Sequence, residues 1–240
     1  MKALLIIAIL VMAGCVSEKR PFDSTSLILQ GDAFLQNGSY QKALAKYDEA
    51  TRNGEADAFI KKGVVLQHLG RYNEALVAFD TAIEKNGGFD AWNNRGSTLF
   101  LLGRYNESLE AFDRAISIDT KYPEVYGSKA DVLRKLGRND EAFSVYMKAA
   151  NMSDDIVMSY HNIGSFLASM GRYEEALVFF DKSLKIAPHT ETIANKADVL
   201  RILGRVKEAE ETLKNADSAT HSLYGRFHVH TVNKSLPGFG

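Results

Sequence analysis

Apolar and polar positions along this chain repeat with two superposed periods. Within short segments apolar residues recur at three- and four-residue spacing, the pattern of amphipathic helices. The whole arrangement then returns every 32 to 34 residues, marked by Gly38, Gly70, Gly103, Gly137, Gly171 and Gly204. Four places before each glycine stands a large apolar residue: Phe34, Leu66, Leu99, Leu133, Leu167 and Leu200. Eleven before it stand Leu27, Phe59, Trp92, Tyr126, Tyr160 and Ile193, on the same helical face. Nine after it come Tyr47, Phe79, Phe112, Tyr146, Phe180 and Leu213. Each period therefore predicts two amphipathic helices that meet at the glycine, and the glycine is read as the left-handed residue ending the first of them.

Three further columns admit only small residues. Seven before the glycine are Gly31, Gly63, Gly96, Ala130, Gly164 and Ala197; five after it are Ala43, Ala75, Ser108, Ala142, Ala176 and Ala209. Twelve after it are Ala50, Ala82, Ala115, Ala149, Ser183 and Ala216. Small residues at a crossing let the large side chains of one helix fill the space beside its neighbour. Large and small columns in this order, over about 34 residues, resemble the tetratricopeptide repeat. The resemblance implies an all-α, right-handed α-solenoid of six antiparallel helix pairs. The units are expected at about 24–55, 56–88, 89–122, 123–156, 157–189 and 190–217. The proline that commonly closes such a repeat survives only as Pro188.

A solenoid needs a polar outer face on its terminal units. The helix expected from Val206 to Ala216 supplies one, with Lys207, Glu208, Glu210, Glu211 and Lys214. The tail at 218–240 has no helical period and is expected to be disordered. Its His221, His228 and His230 raise the thought of a metal, but two histidines one residue apart fall short of the three or four ligands that a site needs. No metal and no cofactor is expected.

Composition adds little to the fold and more to the exclusions. Apolar residues make up 45% and charged residues 25% of the 240, ordinary for a core-forming protein, and 4 prolines suit a helical one. A net charge of -1 gives no basic face for nucleic acid. No phosphate loop, His-Glu-x-x-His or paired-cysteine motif is present. The chain reads as no enzyme, with no small-molecule substrate. Asn-x-Ser triplets occur at Asn37, Asn106, Asn151 and Asn233.

The N-terminus changes the picture. Lys2 precedes an apolar run from Ala3 to Ala13, too short to cross a bilayer as a helix and fitting the hydrophobic part of a secretory signal. Met12-Ala13-Gly14-Cys15 resembles the lipobox of prokaryotic lipoproteins, with Met12 where Leu, Val or Ile is usual. That resemblance implies a signal over 1–14, lipid on Cys15 and a tether over 15–23. It places the protein on the extracytoplasmic side of a membrane. The competing reading is a core cysteine behind an uncleaved segment.

In tetratricopeptide proteins the first helix of each pair lines a concave face that takes an extended peptide or a partner's helix. By that analogy the inward positions lie ten, six and three residues before each glycine. They give Ile28, Asp32, Leu35, Ile60, Val64, Gln67, Asn93, Ser97 and Phe100 in the first three units. The last three contribute Gly127, Asp131, Arg134, His161, Ser165, Ala168, Ala194, Asp198 and Arg201. The column nine before the glycine adds the amides Asn94, Asn162 and Asn195, able to pair with a peptide backbone. The face is thus expected to be apolar in its first half and charged in its second. Asp131–Arg134 and Asp198–Arg201, each three apart, read either as intrahelical ion pairs or as ligand contacts. Lysine and asparagine for a two-carboxylate clamp are missing from the matching positions. The implied role is a membrane-tethered scaffold for protein partners, or alternatively a dedicated assembly factor for a cell-envelope complex such as a pilus.

Overall fold

The computed structural model describes residues 24–223, so the expected signal, Cys15, the whole tether, His228, His230 and Asn233 lie outside the described residues. Within them the chain is all-α, with twelve α-helices and one short 3-10 turn at Thr51–Asn53. They are α1 (Ser24–Gln36), α2 (Tyr40–Ala50), α3 (Ala56–His68), α4 (Tyr72–Glu84), α5 (Gly88–Leu101) and α6 (Tyr105–Ile118). There follow α7 (Pro123–Lys135), α8 (Asn139–Met152), α9 (Ile156–Ser169), α10 (Tyr173–Ile186), α11 (Thr190–Ile202) and α12 (Val206–Leu223). Two compact units meet in sequence at Asn139–Asp140: α1 to α7 belong to the first, α8 to α12 to the second. In the first, each helix from α1 to α6 packs on the next one in the chain, and in the second α9 packs on α10, α10 on α11 and α11 on α12. The first helices of successive repeats also touch: α1 on α3, α3 on α5, α5 on α7, and α9 on α11.

The turn glycines behave as their spacing predicts. All six have positive φ, from 68° at Gly38 to 75° at Gly204. In the second repeat the Arg71 N–H donates to the Leu66 carbonyl at 2.9 Å and the Gly70 N–H to that of Gln67 at 2.9 Å, the paired bonds of a Schellman end. The same pair recurs at every turn, which gives the apolar column four before the glycine a second role: its carbonyl closes the helix. Immediately afterwards Arg71, Arg104, Arg172 and Arg205 each grip the glutamate three residues on, at 2.5–2.6 Å.

The small column seven before the glycine has an equally local cause. A Cβ added at Gly63 would lie 2.5 Å from the Phe79 ring, at Gly96 2.9 Å from Phe112 and at Gly164 2.6 Å from Phe180; Gly31 meets Tyr47 in the same way. The ring nine after the turn folds back onto the bare backbone of its partner helix. Tyr47, Phe79, Phe112 and Phe180 are fully buried there, and the alanines five after the turn are buried with them.

The last helix differs from expectation. It runs to Leu223, so the first residues of the expected tail are helical. From Val206 to Tyr224 there is neither glycine nor proline, and the first breaker is Gly225.

Candidate functional site

The face offered by the first helices must be taken one unit at a time. In the first unit, Ile28, Leu35, Ile60 and Val64 are part-exposed and pack by their inner sides on the core around Leu66 and Phe79. Leu29, beside them on α1, is 64% exposed. Phe100 leans on Tyr105 with ring centres 5.6 Å apart.

The polar residues of this face are mostly spent on one another. Lys61 on α3 reaches Asp32 on α1 at 3.1 and 3.3 Å, and the Tyr47 hydroxyl donates to the same carboxylate at 2.5 Å. Burial, with Asp32 beside it, pushes the Tyr47 phenol far above its usual range. Gln67 on α3 donates to Thr98 Oγ1 on α5 at 2.7 Å and to the Asn94 carbonyl at 3.4 Å. The Asn94 amide turns back to the Asp90 carbonyl of its own helix at 2.8 Å. Asn93, in contrast, makes no side-chain hydrogen bond to a described residue, and it is part-exposed one turn from Ser97. On α7, Arg134 lies 3.3 Å from Asp131.

In the second unit Asn195 on α11 donates to Ser165 on α9 at 3.2 Å, and Arg201 pairs with Asp198 at 2.9 Å. Asn162 is exposed. His161 departs from its expected place on the binding face. It is only 4% exposed, wedged between α9 and α11 with its Nδ1 2.9 Å from Thr192 Oγ1. Thr192 Oγ1 is also 2.9 Å from His189 Nδ1, and the Thr192 N–H donates to that nitrogen at 3.3 Å, capping α11. His189 Nδ1 is therefore an acceptor, the threonine hydroxyl donates to it, and His161 donates through Nδ1. Burial holds the His161 imidazole below its usual range, opposed by Glu191 with its carboxylate 4.0 Å from Nε2. The inward column puts His161 towards a ligand only if nothing covers it, and the start of α11 does.

Neighbouring first helices are thus laced by polar pairs about thirty residues apart: Asp32–Lys61, Gln67–Thr98, His161–Thr192 and Ser165–Asn195. Lys61, Thr98 and Thr192 were invisible as site residues in the sequence. The available signal was polar residues one repeat apart in columns that face each other across a helix pair. Among the described residues no three His, Cys, Asp or Glu side chains converge as metal ligands would, and no helix is long and apolar enough to cross a membrane.

Three family models, each described as a tetratricopeptide repeat, match the chain: one at 89–122, one at 56–85, 123–156 and 159–190, and one at 16–58. Together they span more than half of it. A search of curated proteins finds no match. Among solved structures, pilF of Pseudomonas aeruginosa is similar with a TM-score of 0.67 at 19% identity, covering 84% of this chain and 91% of that one. A tetratricopeptide repeat protein of Parabacteroides merdae gives 0.64 at 19%, over 85% and 81%. YrrB, described as a TPR protein with an unusual peptide-binding site, gives 0.58 at 24%, over 73% and 92%.

Proposed function

The chain belongs to the tetratricopeptide repeat family, and from that premise we propose that it is a non-catalytic, membrane-tethered scaffold holding a peptide or helix of a partner protein. Proteins of this family are generally interaction scaffolds rather than enzymes. The observation that carries the reading here is the first-helix face of the first unit. Its apolar side chains, Leu29, Ile60, Val64 and Phe100 among them, are left part-exposed or exposed beside the amide of Asn93, which has no partner among the described residues. An apolar surface of that kind is characteristic of a contact site, and a free carboxamide offers both a donor and an acceptor to a peptide backbone. A photo-reactive residue at Phe100, irradiated in the native membrane and followed by mass spectrometry, should capture one defined partner that the same probe at the outer residue Val77 does not. Equal capture from both positions would remove the face from consideration.

The tether rests on the N-terminal sequence: the eleven-residue apolar run Ala3 to Ala13, followed after Gly14 by the single cysteine of the chain. With lipid on Cys15, the eight residues to Asp23 reach at most about 28 Å, so the first repeat sits close to the extracytoplasmic bilayer surface. Cys15→Ser should abolish metabolic lipid labelling and release the chain. Labelling that persists would refute the anchor while leaving the scaffold reading intact.

A further inference from the structure

The outer side of the second unit carries a groove that the first-helix reading leaves unused. It has a volume of about 400 Å³ and is walled by α10 and α12 over a floor from α11. Its charges are Glu174, Asp181, Glu208 and Glu211 against Lys196 and Arg205. Both cations are already taken. Lys196 lies 2.6 Å from Asp181, and Arg205 is shared between Glu208 at 2.6 Å and Glu174 at 3.2 Å. Glu211 has no ion pair among the described residues, and Val178 on the α10 wall is 52% exposed.

The corresponding cleft of the second repeat is built from the same columns and differs where it matters. There Gln41 stands for Glu174 and Val77 for Glu211. Lys62–Asp48 at 2.7 Å and Arg71–Glu74 at 2.6 Å balance its charges, and Phe59, Leu66, Val77 and Ala78 leave a smaller apolar cleft of about 200 Å³. Glu110 stands in the Glu211 column for the cleft of the third repeat and Asp140 in the Glu174 column for that of the fifth, but only this groove has an acid in both columns.

We infer that this groove docks a short, extended, lysine- or arginine-bearing segment of a protein partner, whose cations meet Glu211 and Glu174 while a small apolar side chain covers Val178. The small volume suits a short segment, and the charge selects a basic one over an acidic one.

The probe is a fluorescein-labelled hexapeptide of alternating lysine and valine, titrated into the full chain at low salt with anisotropy as the readout. The E174Q/E211Q double variant should bind it about fivefold more weakly, from two exposed carboxylates lost. A control variant with exposed acids removed from the first unit, E84Q/E110Q, should bind as the parent does. The matching glutamate–valine peptide should not bind. An equal loss in both variants would mean diffuse charge attraction and overturn the proposal. So would a several-fold gain in affinity on neutralising Arg226 and Lys234, because the chain's own end would then be the occupant. Unchanged helicity in every variant keeps a folding defect from passing as lost binding.

Discussion

At the scale of single residues, the packing of bare helix backbone against an aromatic ring is the most demanding contact in each repeat. At Gly164 a methyl group would lie 2.6 Å from the Phe180 ring, and neither is near the surface. Gly164→Ala should therefore destabilise the protein by roughly 1–3 kcal/mol, the usual cost of overpacking. The last repeat holds Ala197 and Leu213 in the same two columns, so Phe180→Leu should recover part of that loss when combined with Gly164→Ala. A double-mutant cycle in denaturant measures the coupling; strictly additive losses would show that the ring is not what limits the glycine. A second residue-scale consequence concerns His161. Burial depresses its proton affinity in the folded chain, so between its ordinary range and its folded value the unfolded chain binds more protons. Stability from keeping it neutral is complete above about pH 6.5 and is lost as pH falls. The groups facing it, Glu191 and His189, both come from the start of α11 or the residue before it. His161→Asn should flatten the acid side of the stability profile relative to the parent. An unchanged slope would assign that dependence to other groups.

At the scale of the helix pair, the turn is set by backbone conformation alone. Nothing lies within 4 Å of a Cβ built at Gly103, yet its φ is 73°. Gly103→Ala should cost about 1–2 kcal/mol through the left-handed conformation, and Gly103→Asn less, because asparagine tolerates that region better. Equal costs would point to a contact instead. These turns and small columns were legible in the sequence because each is a local rule copied six times. The two fates of the face residues were not. Whether Asn94 bonds a ligand or its own helix, and whether His161 faces outward or lies beneath α11, depend on how one first helix sits against the next. One sequence column can lie open in one repeat and beneath its neighbour in another: Asn93 and His161 share a column, and one is part-exposed while the other is buried. The paired readings of Asp131–Arg134 and Asp198–Arg201 had the same origin. Both pairs are formed within their helices, at 3.3 and 2.9 Å, so each arginine would have to exchange a partner to meet a ligand.

At the scale of the whole molecule, the described contacts run mainly between helices adjacent or next but one in the chain. Stability in such an array is close to a sum of repeat terms and nearest-neighbour terms, so damage should stay near its source. Leu99 on α5 is fully buried and belongs to a cluster with Leu76 of α4 and Ala111 of α6. Leu99→Ala should cost about 2–5 kcal/mol locally. In native-state hydrogen exchange the loss should appear in α4, α5 and α6 and fade towards α1, because repeats further away share no side chain with the cavity. Exchange in α10 and α11, whose cores are built around Phe180 and Leu200, should keep its parent rate. A uniform fall in protection from α1 to α11 would instead mean that the repeats unfold as one block, and that a partner held on one face could be released by a change anywhere along the chain.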